Sequence, residues 1–231
     1  MTIEENLKKK NFIKKDNYDD KKVKYFLLEE PFPANTSIWQ NQAIQREFLL
    51  KSTDFADKED FIFFSDPDEI PRPELLSNFK LDKKYGIFMQ SCFNFKFNLF
   101  NKYENPWEGT RVSKKKNLKS IDFMRQKVRS KNLKYKFYRF DKEKNIQIFD
   151  NAGWHFNNII SPEEISLKLK TFAHSEFADD KYSSPKVIKK KIDLRMDLFE
   201  RGHIYQKKEI DNTFPKYLIE NQDKFKKFII S

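Results

Sequence analysis

Four consecutive apolar residues, Phe61-Ile62-Phe63-Phe64, run directly into Ser65-Asp66-Pro67-Asp68-Glu69-Ile70-Pro71-Arg72-Pro73. No other stretch restricts the fold as tightly. The apolar run is one short strand long and has no alternating polar positions, so it reads as a strand buried on both faces, as in parallel or mixed sheets. Pro67, Pro71 and Pro73 then forbid a helix interior or regular pairing, so Ser65–Pro73 reads as a loop at the strand's carboxyl end. A short helix is expected near Glu74–Asn78.

The rest of the chain alternates strand and helix signals. Val23–Leu28 is a strand candidate closed by Pro31 and Pro33, and Thr36 or Ser37 can cap a helix reaching about Leu50. Phe93, Phe95 and Phe97 alternate with polar residues inside Gly86–Phe100, a period of two with one apolar face. Asn101–Thr110 reads as a loop, Ile121–Val128 as a helix capped by Ser120, and Ile146–Phe149 as a strand. Ser161-Pro162-Glu163-Glu164 carries a cap, a proline at the first helical position and a capping-box acid. Ser184-Pro185 opens a helix ending near Gly202, and Pro215 opens the last one. The pattern predicts an α/β class with a mixed central sheet: a charged N-terminal arm over Met1–Lys22, then a single domain over 23–231 with a helical C-terminal part.

Composition narrows the function classes. The chain has 231 residues, 38% hydrophobic and 16% aromatic, enough for a core and unlike a disordered chain. Its one cysteine, Cys92, excludes an internal disulfide and a cysteine-based zinc site. No segment approaches the roughly 20 apolar residues that span a bilayer. No targeting signal is read at the N-terminus, so a soluble, cytoplasmic protein of bacterial or viral origin is expected. The net charge of +11 favours anionic partners: nucleotides, nucleic acids or anionic lipids. Abundant Lys, Asn, Ile and Phe with four Gly is also what A/T-rich codons produce, so charge alone assigns no function.

Four constellations bear chemistry. Asp66 and Asp68 are two apart, so extended backbone turns both carboxylates the same way, and hard oxygen ligands suit Mg²⁺ or Mn²⁺. A solvated turn is the bland alternative. Gly153-Trp154-His155 sets an indole and an imidazole beside a glycine, a wall on which a sugar ring could stack; a core aromatic with a bonded histidine explains it equally. His174, past the Pro162 helix, could ligate a metal or cap a helix end. Glu164 is explained by capping, whereas Glu163 is free to serve as a general base. There is no nucleophile elbow, Walker loop or G-x-G-x-x-G.

Taken in order, these stretches resemble glycosyltransferase family 17, the bisecting β-1,4-mannosyl-glycoprotein N-acetylglucosaminyltransferases. The resemblance runs through Trp39, Gln45-Arg46, Asp60–Pro73, Phe93-Asn94-Phe95, Trp107-Glu108-Gly109-Thr110, Ala152–Phe156, Lys168–His174, Leu198–Arg201 and Phe214-Pro215, covering roughly Lys21 to Phe228. The Ser-Asp-x-Asp-Glu-Ile-Pro and Gly-Trp-His-Phe runs are its specific parts. It implies a GT-A-like fold lacking the family's N-terminal strand–helix–strand segment. It also implies inverting transfer of N-acetylglucosamine from UDP-GlcNAc to a glycan acceptor, with Mn²⁺ or Mg²⁺ at Asp66 and Asp68. By analogy with GT-A enzymes, Glu163 is the base and His174 completes the metal shell. Arg46, Glu69, Trp107, Gly153, Trp154 and His155 are the expected substrate-binding residues, Arg46 through phosphate and the two tryptophans through sugar rings. Two other readings stand beside this one. One is an inactive truncated relic that keeps a binding surface; the other is a metal-dependent nucleic-acid binder, which predicts basic residues around the acids where only Arg72 is found.

Overall fold

A computed structural model of the chain describes residues 22–171 and 179–230. The chain is mixed α/β, and its eight strands form one mixed sheet curled into a half-barrel. The strands are β1 (Phe61–Phe64), β2 (Glu69–Pro71), β3 (Tyr85–Asn94), β4 (Leu99–Phe100), β5 (Trp107–Lys114), β6 (Ile146–Phe149), β7 (Gly153–Asn157) and β8 (Gln206–Lys207).

β3 is the axis of the sheet. Along one edge its first half pairs antiparallel with β5, and its last residues with β4. Along the other edge it pairs parallel with β6 over Tyr85–Phe88 and then with β7 over Ser91–Asn94. The Ala152 amide donates to the Met89 carbonyl (2.8 Å) in the gap between them. β1 closes the sheet beyond β5, β8 beyond β4, and β2 beyond β7.

Alternation along β3 builds two layers of core. Tyr85 and Ile87 face Ile121, Met124 and Val128; Phe88 faces the opposite way, toward Val112, Ala152 and a ring cluster of Phe61, Phe79 and Phe149. Helix α1 (Ile38–Phe48) starts at Ser37, whose hydroxyl accepts from the Gln40 amide while the Gln40 side chain accepts from the Ser37 amide, a reciprocal cap. Helix α2 (Pro73–Leu76) opens on a proline, and helix α3 (Ile121–Gln126) is capped by Ser120. Helix α4 (Pro162–Thr171) has the expected box: Glu164 accepts from the Ser161 amide, and the Ser161 hydroxyl from the Glu164 amide. Helices α5 (Asp180–Ser183), α6 (Pro185–Asp193) and α7 (Lys216–Glu220) complete the C-terminal part.

The structure corrects several expectations. Phe61–Phe64 is a strand, but at the sheet edge with β5 as its partner, and Phe63 is 37% exposed. Phe64 packs with Tyr85 and Ile87 on one side and Phe61 against Phe88 and Val112 on the other, so both faces are covered in part. Val23–Leu28 forms no strand. The Phe93/Phe95/Phe97 alternation does not run along one strand: β3 stops at Asn94, and Phe95 turns to φ +66°. Phe95 therefore packs with Leu99, Ile188 and Ile192, while Phe93 and Phe97 pack with Phe156 and Phe214. The stretch Asn101–Thr110 is not all loop, since β5 begins at Trp107. The Pro185 helix ends at Asp193, well before Gly202.

Candidate active site

The loop after β1 turns tightly. The Glu69 amide donates to the Asp66 carbonyl (2.9 Å), and the chain re-enters the sheet as β2 despite its prolines. Pro71 is tolerated because it ends an edge strand. β2 pairs antiparallel with β7, placing Glu69 opposite His155, Ile70 opposite Trp154 and Pro71 opposite Gly153. The Phe156 amide extends the ladder to the Asp68 carbonyl (2.9 Å).

This pairing needs Gly153. Its φ is +141°, and a Cβ there would lie 2.1 Å from the Ile70 carbonyl oxygen. Gly153→Ala should therefore cost about 3 kcal/mol, from backbone strain plus the clash with β2. A urea denaturation midpoint unchanged by the substitution would show that β2 does not approach β7 so closely.

Glu69 is the centre of the site, with no side-chain exposure. Its Oε1 accepts from the Trp107 indole (2.9 Å) and pairs with Arg125 Nη2 (2.8 Å). Its Oε2 accepts from the Asp66 amide (3.2 Å). Burial pushes the Glu69 carboxyl above its ordinary range, against the opposing pull of Arg125 and the indole. Arg125 Nη2 also donates to Asp66 Oδ2 (2.8 Å), and Arg46 stands 3.9 Å from the same oxygen. Asp66 thus faces arginines.

Asp68 faces elsewhere. Its Oδ1 lies 3.6 Å from His155 Nδ1, a buried nitrogen with no hydrogen-bond partner. The imidazole stacks on the Trp107 indole, with centroids 4.4 Å apart and planes within 7°. Burial holds the His155 imidazole below its usual range, with Asp68 opposing. Lys168, on α4, is close enough for Asp68 to hold its ammonium up while burial pulls it down, and it donates to Asn158 Oδ1 (2.7 Å).

Arg46, Trp107 and Arg125 also line a cleft of about 450 Å³, together with Trp39, Gln42 and Arg129. This is within the size range of small-molecule sites. Arg46 has a side chain only 13% exposed, and its carboxylate neighbours, Asp66 and Asp122, both stand 3.9 Å away. Its guanidinium is thus charged, largely desolvated and, among the described residues, without a close acceptor, the condition of a group awaiting an anion. The Trp39 indole is 54% exposed at the start of α1.

Asp66, Asp68, Glu69, Arg46, Trp107 and His155 therefore come together as the sequence suggests, although Asp66 and Asp68 have different neighbours. Trp154 does not present a face for a sugar. It is 3% exposed, its Nε1 donates to the Thr213 carbonyl (3.1 Å), and the Arg72 guanidinium covers its ring at 4.3 Å. Glu163 is exposed on the first turn of α4 and belongs to none of these contacts. His174 lies outside the described residues. Sequence reasoning missed Arg125, Arg129 and Lys168. A basic residue in the last turn of a helix, as Arg125 is in α3, is explained by the dipole and so carries no separate signal.

Among the described residues no three His, Cys, Asp or Glu side chains converge as ligands. Asp68 with His155 still suits a cation held only in part by protein. A carboxylate oxygen and an unpartnered imidazole nitrogen at 3.6 Å can occupy neighbouring positions on one small divalent ion, and such ions commonly take their remaining ligands from water and substrate phosphates. No family model, no curated protein and no solved structure matches the chain.

Proposed function

We propose that the chain is a glycosyltransferase that transfers a sugar from a nucleoside-diphosphate donor to a glycan acceptor, on a GT-A-like frame similar to glycosyltransferase family 17. The observation that carries this reading is the register of β2 with β7: it sets Glu69 opposite His155 and so joins the two most specific stretches of the resemblance at the edge of a cleft lined with arginine and tryptophan. The donor implied by the resemblance is UDP-GlcNAc, transferred with inversion.

Asp68 and His155 would hold Mn²⁺ or Mg²⁺, whose charge, when the ion is bound, neutralises a departing diphosphate. Arg46 supplies a planar fork of donors to phosphate oxygens from the floor of the cleft. Arg125 is tied to Asp66 and Glu69 and fixes the wall beside it. Trp107 is oriented by its bond to Glu69 and holds the His155 ring by stacking. Trp39 offers an exposed aromatic face to a base or sugar ring.

Isothermal titration with UDP, with and without Mn²⁺, tests the reading. We expect heat that depends on Mn²⁺, and for Arg46→Ala about a tenfold weaker affinity, near 1.4 kcal/mol. Absence of heat from the wild type at millimolar UDP would favour the inactive-relic reading.

A further inference from the structure

From the turn at Ser130–Lys134 toward β6, the chain carries Leu133, Tyr135, Phe137, Tyr138 and Phe140, all exposed. Phe137 and Phe140 are 87% and 89% exposed, the two most exposed large apolar residues described. Scattered single exposures need no explanation, but five within eight positions form a patch.

The segment is held in place rather than loose. The Arg139 amide donates to the Lys136 carbonyl (3.1 Å), and the Lys142 amide to the Arg139 carbonyl (3.2 Å). Arg139 grips Asp141 through both carboxylate oxygens (2.7 and 2.8 Å), and Lys144 reaches back to the Lys136 carbonyl. These bonds form a turn and leave the two phenyl rings outside it. In sequence the rings are interleaved with Lys131, Lys134, Lys136, Arg139, Lys142 and Lys144, against which the only acids in the segment are Asp141 and Glu143; Lys136 lies over Tyr138, and Arg139 and Lys142 lie over Tyr135. Asp141 is already taken by Arg139 and Lys142.

A protruding apolar tip with a cationic collar matches an anionic lipid surface. Rings enter the acyl boundary, long basic side chains reach back to the headgroups, and the two attractions add. Nucleic acid would instead favour a basic groove with flat ring platforms, and these rings sit on the outside of a turn. We propose that residues 133–140 are a membrane-docking loop that inserts Phe137 and Phe140 into an anionic bilayer while the surrounding lysines hold its headgroups. Arg129, at the start of the Ser130–Lys134 turn that leads into this loop, lines the cleft. The proposal is independent of the reaction assigned above.

Flotation of the full chain with vesicles of phosphatidylcholine, with or without phosphatidylserine, tests it. We expect the chain to float with the anionic vesicles only, and less so as salt is raised. Phe137→Ser with Phe140→Ser should reduce partitioning by roughly tenfold or more, because each buried ring contributes on that scale. Because both residues are exposed, the melting temperature should not change. Lys134→Ala with Lys136→Ala should weaken binding and flatten its salt dependence. Failure to float with anionic vesicles, or a double-serine variant that floats as well as wild type, overturns the proposal. So does a loss in that variant of single-stranded RNA binding, or of a concentration-dependent dimer, in a chain that ignores vesicles.

Discussion

On the proposed reading, Asp68→Asn should lower sugar transfer, or donor hydrolysis, by about 10³-fold at saturating donor, the several kcal/mol that a bound cation would supply to a departing diphosphate. The substitution keeps the shape and removes the charge. Asp68 bonds to the β7 ladder through its backbone, so the fold should persist with an unchanged melting curve. Asp66→Asn should behave differently, because the Asp66 carboxylate holds Arg125 at 2.8 Å and stands 3.9 Å from Arg46 rather than facing His155. It should weaken donor binding more than turnover. Steady-state kinetics on a nucleotide-sugar panel with Mn²⁺ separates the two, and equal turnover by wild type and Asp68→Asn would remove Asp68 from the chemistry.

Glu69→Ala destabilises the protein by about 3–5 kcal/mol, the cost of removing one member of a buried ion pair. Arg125 loses one of its two carboxylates, and the Trp107 indole loses its acceptor. Glu69→Gln is milder, because the amide oxygen still accepts from the indole and from Arg125, which also keeps its pair with Asp66. The pH dependence follows from the raised carboxyl. The folded protein holds this proton more tightly than the unfolded chain does. Glu69's contribution to stability is therefore full below the ordinary value of 4.5 and is lost as pH rises from there through the higher folded value. Wild type should lose stability relative to Glu69→Gln across that window. Urea unfolding at a series of pH values measures this, and parallel profiles for the two proteins would contradict it.

Local chemistry carried much of the fold into view. Ser37, Ser120, Ser161, Pro162 and Pro185 mark helix starts because capping and proline geometry are decided within one turn. The Asp-x-Asp and Gly-Trp-His stretches are each marked by a preceding apolar strand, whereas their pairing through β2 and β7 is not local. What escapes is whatever depends on distant partners. Glu69 is expected from the resemblance to bind substrate, and nothing local predicts its burial, which depends on Trp107 and Arg125 arriving from other elements to satisfy it. Trp154 reads as a ligand platform until Arg72 and the Thr213 carbonyl claim both its ring and its nitrogen. Phe61–Phe64 reads as a central strand because apolar content does not reveal that it closes the edge of the sheet, where Phe63 stays 37% exposed. Period-two spacing likewise cannot reveal that Phe95 leaves the strand by a left-handed residue.

The way β3 is shared has a bearing on biosynthesis. The second half of the chain contributes β6, β7 and β8, and none of these pairs with another; each waits for a strand laid down earlier. A ribosome delivering this polypeptide therefore releases a first half with open edges along β3, β2 and β4; β6 and β7 satisfy the first two, and the β4 edge stays open until β8 emerges. β8, joined to β4 across nearly half of the sequence, is the last strand to find its neighbour. Nascent chains stalled before that point would present the unpaired edge of β4 as a template for sticking to one another.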